Sequence, residues 1–361
     1  MLKALAVLGL VCGLSRMAFT QAPQQDRIAS IAGSGAVRLE GNRRPLFRPE
    51  NDLGPVKGSF QLENISLMFK LTESQQAELT ALLAEQQDPS SPNYHQWLTP
   101  EQYADRFGLS PKDIGKVDAW LQAQGFQVIQ TARGRNWVSF SGTAAQVQAA
   151  FQTEIHNFSL HGQTYYANAT EPAVPAALAE VVLGFRGLDN YRLKPHSLFR
   201  HVGASRAGPG PNAVRPYTTD GGEPPNFTSG ISGNTFLSPG DIAILYDLNP
   251  LYSNGINGAG QTLAIMGQTD LYNGGSDITA FRTAAGLPPN TPTIILDGSD
   301  PGLTADDIAE ASLDLEWSGA VAPNATILYV NSLDAVSSLY YAIDHNLAPV
   351  LSISYAGCEQ S

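Results

Sequence analysis

Four short runs in the last third of the chain are almost wholly apolar: residues 262–266 (TLAIM), 293–296 (TIIL), 325–330 (ATILYV) and 350–355 (VLSISY). A strand with one wet face alternates apolar and polar residues, whereas a near-continuous apolar run needs cover on both faces. Between the runs lie stretches with helical signals, at 277–285, 305–321 and 333–345. Strands that alternate with helices in this way predict a parallel α/β sheet covered on both sides.

The first part of the chain follows a different grammar. A strand is expected over 59–70, after which Thr72 caps a helix carrying Leu79, Leu82 and Leu83. Ser110 and Pro111 open a second helix with Ile114, Val117 and Leu121 at helical spacing, closed by Gly125. Strands are expected at 126–130 and 136–141, and Thr143 caps a third helix that runs to Phe151. A hairpin over 154–160 and 163–168 turns at His161-Gly162. This pattern predicts a small α+β domain with an antiparallel sheet. Residues 203–233 are dense in Gly, Pro, Ser, Thr and Asn and read as an exposed linker.

At the N-terminus Lys3 precedes an apolar run over 4–14, and Thr20-Gln21-Ala22 offers small residues suited to cleavage. The run is too short to span a bilayer, so a secretory signal and an extracellular destination are expected, with no membrane association. The expected organisation is a signal peptide over 1–22, a flexible lead-in over 23–55, the α+β domain over 56–195, a processing linker over 196–236 and the α/β domain over 237–361. Removal of the signal leaves Cys358 without a partner in the chain.

Charge is split between the halves. From Leu237 onward there are fourteen Asp or Glu and one base, Arg282, while the first 236 residues carry nineteen acids and twenty bases. A net charge of -12 argues against nucleic acid as a partner. The split predicts contact between the two domains, with bases such as Arg106, Lys112, Lys116, Arg133 and Arg135 facing carboxylates that neutralise near pH ~4.

The helix over 305–321 holds the pair of residues that bears most on chemistry. Glu310 and Asp314 are four apart and share one face, with Trp317 and Val321 on the same stripe. An acidic helix start explains Asp306 and Asp307 through the macrodipole, but not carboxylates one and two turns further in. Read with its neighbours, the stretch Glu310-Ala-Ser-Leu-Asp314-Leu-Glu-Trp-Ser-Gly-Ala-Val-Ala-Pro323 resembles the motif of the sedolisin family of serine-carboxyl peptidases. Gly258-Ala-Gly260-Gln-Thr-Leu-Ala-Ile265 is similar to the first catalytic-domain strand of that family, and Ser354, Tyr355 and Gly357 to its substrate-edge strand. Tyr94-His95-Gln-Trp97-Leu98, Tyr103, Phe107-Gly108, Phe140-Ser-Gly142-Thr143 and Gly187-Leu188-Asp189-Asn190 resemble the pro-kumamolisin activation domain.

The resemblance implies a secreted zymogen of an acid-acting endopeptidase with polypeptide substrates and a subtilisin-like catalytic fold. Glu310 would be its general base and acid for a nucleophilic serine, and Asp314 would orient that glutamate. A carboxylate is poised at pH ~4, where a histidine is already protonated, so replacing the His of a Ser-His-Asp triad moves the chemistry into acid. The Gly-Thr-Ser and Gly-Asp-Ser segments of the family do not occur between Tyr355 and Ser361, and Gly267 stands where some relatives carry an auxiliary Glu. The chain is therefore expected to be truncated before its nucleophile, its Cys358 partner and the ligands of the calcium ion the family domain carries. A non-catalytic inhibitor or folding chaperone, or an inactive gene fragment, is the alternative reading. A carboxylate metal site on Glu310, Asp314 and Glu316 is disfavoured because Glu316 falls off the shared face. The six histidines show no metal-ligand spacing.

Overall fold

The computed structural model describes residues 24–31, 33, 35–195, 213–214, 226–228 and 235–357. The expected signal peptide and Cys358 lie outside the described residues, as does most of the expected linker.

The first unit builds in chain order from β1 (Ala36–Arg38), β2 (Asp52–Pro55), β3 (Gln61–Phe69), α1 (Glu73–Glu85), α2 (Pro100–Phe107), α3 (Pro111–Ala123), β4 (Gln127–Thr131), β5 (Trp137–Thr143), α4 (Ala144–Phe151), β6 (Ile155–Leu160), β7 (Gln163–Asn168), β8 (Ala173–Pro175), α5 (Ala176–Ala179), β9 (Val182–Arg186) and β10 (Lys194–Pro195). Thr72, Thr99 and Thr143 each close a capping box with a Gln at the third helical position, which stabilises each helix start by about 1 kcal/mol. The order β4-β5-β3-β9 forms an antiparallel sheet, and β2-β6-β7 a second one. The β6–β7 turn places His161 at φ 51° and Gly162 at φ 79°, the two positive φ values of a tight hairpin. Helices α3 and α4 pack Val117, Leu121, Val147 and Phe151 onto Leu62, Ile65, Leu67, Val138 and Phe140 of the sheet. Leu83, expected on the inner face of α1, is instead 55% exposed, and Leu82 alone on that helix is buried.

The lead-in differs from expectation. Its described part is held in place: Ile28 joins the main core, β1 pairs with β8, and Phe47 packs against Phe158. Buried Asp113 accepts from the amides of Arg27 and Ile28. These anchors pair with residues far along the chain, so no local periodicity announces them.

Backbone of the linker region supplies β11 (Ala213–Val214), β12 (Asn226–Thr228) and β13 (Thr235–Leu237), an antiparallel trio. After it come α6 (Pro239–Leu245), α7 (Asn249–Ser253), β14 (Thr262–Gly267), α8 (Ser276–Ala284), β15 (Thr293–Leu296), α9 (Ala305–Val321), β16 (Thr326–Asn331), α10 (Ala335–Asp344), β17 (Val350–Ser352) and β18 (Tyr355–Ala356). The sheet order is β15-β16-β14-β17 with every pair parallel. Alternate residues feed opposite faces. Ile265, Ile327 and Tyr329 meet Ile278, Ala311 and Leu315 of α8 and α9, while Ala264, Met266 and Val330 meet Ala342 of α10. The central strands β14 and β16 are thus covered on both sides, as their apolar runs require, whereas Ile294 and Leu296 of β15 and Val350 of β17 stay about half exposed.

The two units meet along α10. Arg186 of β9 donates to Asp334, the N-cap of α10, at 2.9 Å and lies over the Tyr340 ring. Trp137 of β5 packs at a tilt against the same tyrosine, and at the other end of the helix Gln130 and Arg133 donate to Asp344. Of the five bases expected to face the acidic domain, only Arg133 does. Arg106, Lys112, Lys116 and Arg135 pair with Glu78, Asp26, Asp113 and Asp105 of their own unit. Net charge located the contact in the right pair of domains but assigned it to the wrong side chains, because those bases find acids within their own unit, from three to 86 positions away.

Candidate active site

Helix α9 begins with exposed Asp306 and buried Asp307 and carries no side-chain cap at Thr304. Asp307, Glu310 and Asp314 recur at spacings of three and four, so one stripe of the helix is acidic and turned inward. Asp307 and Glu310 are each only 4% exposed. Glu316 leaves the stripe for the α8 side, where its charge faces Asp277; burial and that neighbour push its carboxyl up to about 7. Ser312 donates to the same Asp277. Glu310, Asp314 and Glu316 therefore do not converge. Among the described residues no group of three or more His, Cys, Asp or Glu could hold a metal ion.

The C-terminal end of β14 supplies the floor of the site. A Cβ on Gly267 would fall 2.0 Å from the Tyr329 hydroxyl, so the phenol occupies the space an auxiliary glutamate would need. That hydroxyl donates to the Thr269 carbonyl at 2.7 Å. Gln268, 2% exposed, donates from Nε2 to Asp307 Oδ1 at 3.0 Å and to the Leu193 carbonyl at 2.9 Å. Its Oε1 accepts from the Ala335 amide.

After β17 the chain leaves the parallel sheet. Ser354 Oγ donates to Asp314 Oδ1 at 2.9 Å, while Asp314 Oδ2 is buried without a partner among the described residues. Burial chiefly, opposed by the Ser354 hydrogen bond and reinforced by the nearby Glu310 charge, pushes the Asp314 carboxyl up to about 6. Tyr355 is buried, with its phenol raised above the usual range by burial and by the neighbouring Tyr329, Asp307, Asp314 and Glu310. Strand β18 pairs antiparallel with β10, Lys194 opposite Ala356 and Pro195 opposite Tyr355. The tail of the first unit thus lies along the edge beside the acidic stripe.

Of the residues singled out in the sequence, Glu310, Asp314, Ser354 and Tyr355 come together here, and exposed Gly357 follows them. Gln268 and Asp307 were missed as site residues. Asp307 had been accounted for by the helix dipole, and only its burial distinguishes it from Asp306. Arg282, the lone base of the second half, is not in the site. It donates to the carbonyls of Pro288, Gly319 and Pro323 and ties down the C-terminal end of α9.

The chain is similar to several known proteins. The family model "Pro-kumamolisin, activation domain" matches residues 53–191. Xanthomonalisin of Xanthomonas sp. (strain T-22) is 30% identical over 223 residues, 61% of this chain and 25% of the relative. Kumamolisin of Bacillus sp. (strain MN-32) is 25% identical over 334 residues, 90% of this chain and 56% of the relative. Sedolisin of Pseudomonas sp. (strain 101) is 24% identical over 309 residues, 82% of this chain and 49% of the relative. The chain spans between a quarter and just over half the length of these relatives. With an antiparallel unit that matches the activation-domain model ahead of a parallel sheet that carries the acidic stripe, the chain is similar to peptidases of the sedolisin family.

Proposed function

We propose that residues 237–361 are the acid–base portion of a secreted, acid-acting serine-type endopeptidase, held in zymogen form by the unit before it. One observation carries this reading: an extended segment of the chain, Lys194–Pro195, lies antiparallel on Tyr355–Ala356, next to Glu310 and Asp314. An edge strand that accepts its own chain in this way can accept a peptide substrate by the same backbone hydrogen bonds.

In the proposed reaction Glu310 takes the proton of a serine hydroxyl as it attacks the peptide carbonyl and returns it to the leaving amine. Asp314 stays protonated in acid, since its carboxyl is pushed up to about 6. A neutral Asp314 does not repel an ionised Glu310 and can hold it by a hydrogen bond. The serine and the oxyanion acid would come from sequence beyond residue 361. Secretion rests on the N-terminal signal pattern, and acid action on the use of a carboxylate as base.

The test compares the 361-residue chain with a product of the reading frame extended through a Gly-Thr-Ser segment. Denatured casein should be cleaved near pH ~4 by the extended product only, and Glu310→Gln should abolish that cleavage. Turnover that survives Glu310→Gln, or cleavage by the 361-residue chain, would refute the assignment. An extended frame without such a serine would favour an inhibitor or chaperone role for the chain.

A further inference from the structure

Asp307 is a buried carboxylate at a position where a helix start needs only an exposed one, and its neighbour Asp306 already fills that role. A group of this kind needs a reason to be inside. Its side chain accepts a hydrogen bond from Gln268, whose Nε2 also donates to the Leu193 carbonyl. A single amide therefore joins the acid to the backbone of the segment lying on β18. Along an extended segment alternate side chains share a side, and Arg192 and Lys194 flank Leu193 in this way. Both of their charges act on Asp307 and oppose the effect of its burial.

We propose that Asp307, presented by Gln268, is a recognition site for a cationic side chain of an extended peptide on Tyr355–Ala356. Lysine or arginine is then favoured at the register of Lys194, and the chain's own segment 192–195 occupies the site as a stand-in for such a peptide. The inference rests on the reading of β18 as the substrate edge. It adds a charge preference that backbone pairing alone does not give.

The test is amide hydrogen exchange of the full 361-residue chain over residues 190–195 and 353–357. In the unaltered chain both stretches should be protected. Arg192→Gln with Lys194→Leu should speed exchange there by about three- to tenfold, the range for one or two partly screened charge pairs. Arg192→Lys with Lys194→Arg should leave it unchanged. Asp307→Asn, nearly the same size and still able to accept from Gln268, should match the loss of both cations, and combining all three changes should add nothing. Protection that ignores these charges, or effects that multiply in the combination, would overturn the Asp307 site while leaving the edge strand in place. No protection at 353–357 in the unaltered chain would overturn the edge reading itself, and the inference with it. The altered cations lie on an exposed or half-exposed segment, so the result does not hinge on a variant that fails to fold.

Discussion

Two half-buried carboxyls on α9 should make the α/β unit more stable in acid than at neutral pH. Asp314 is raised from 3.8 to about 6, and Glu316 from 4.5 to about 7, each chiefly by burial. A raised carboxyl pKa means the folded chain holds that proton more tightly than the unfolded one. The stabilising effect of the proton is present at pH ~4 and is lost as pH rises through the folded values. At 1.36 kcal/mol per pH unit, each shift corresponds to roughly 3 kcal/mol, an upper figure because both side chains keep some contact with solvent. Asp314→Asn and Glu316→Gln remove the need to ionise. If half of that energy is recovered, each should raise the melting temperature at pH ~7.5 by about 3–6 °C and leave it nearly unchanged at pH ~4. Calorimetry of the two variants and the parent at both pH values decides the matter. Equal shifts at both pH values, or a parent whose α/β unit gains stability between pH ~4 and pH ~7, would refute the argument.

Three further outcomes follow from particular contacts. Arg186→Ala removes an ion pair and a cation–π contact from the end of α10 and should weaken docking of the two units by about 1–2 kcal/mol. It should be read as faster hydrogen exchange along α10 at neutral pH. Because Asp334 is held below its ordinary value, burial being outweighed by Arg186 and Ser337, its contribution exists above pH ~4 and is lost as pH falls through the depressed value, so the variant should differ less in strong acid. His156 bonds Asp52 and Glu154, which outweigh burial and raise its pKa. Its contribution is complete below pH ~6.5 and fades as pH rises through the raised value, so His156→Ala should lower the melting temperature of the first unit more at pH ~5 than at pH ~8. Gly267→Ala would drive a Cβ into the Tyr329 hydroxyl and should destabilise by about 1–3 kcal/mol or more in chemical denaturation. Pairing it with Tyr329→Val should restore most of the loss.

What the sequence disclosed follows the range of the forces involved. Helix starts at Thr72, Ser110 and Thr143 and the turn at His161-Gly162 are settled within four residues, and the structure has them where the local signals point. The parallel sheet was legible chiefly in its central strands β14 and β16, where burial on both faces leaves apolar runs. The acidic stripe was half legible. Glu310 and Asp314 stand out by spacing and resemblance, but Asp307 carries the same letter as Asp306, and only the approach of Gln268 and segment 192–195 separates them. The partners of the lead-in and of α10 were hidden for the same reason, since Ile28 with Asp113 and Arg186 with Asp334 are joined across 85 and 148 positions. Gly267 shows how the two levels meet. The sequence registers only a missing acid, while the fold shows a tyrosine from the next strand in that space. With that space filled, the groups near Glu310 that can carry a proton include Asp307 and Asp314 of the same helix stripe and the buried Tyr355 phenol.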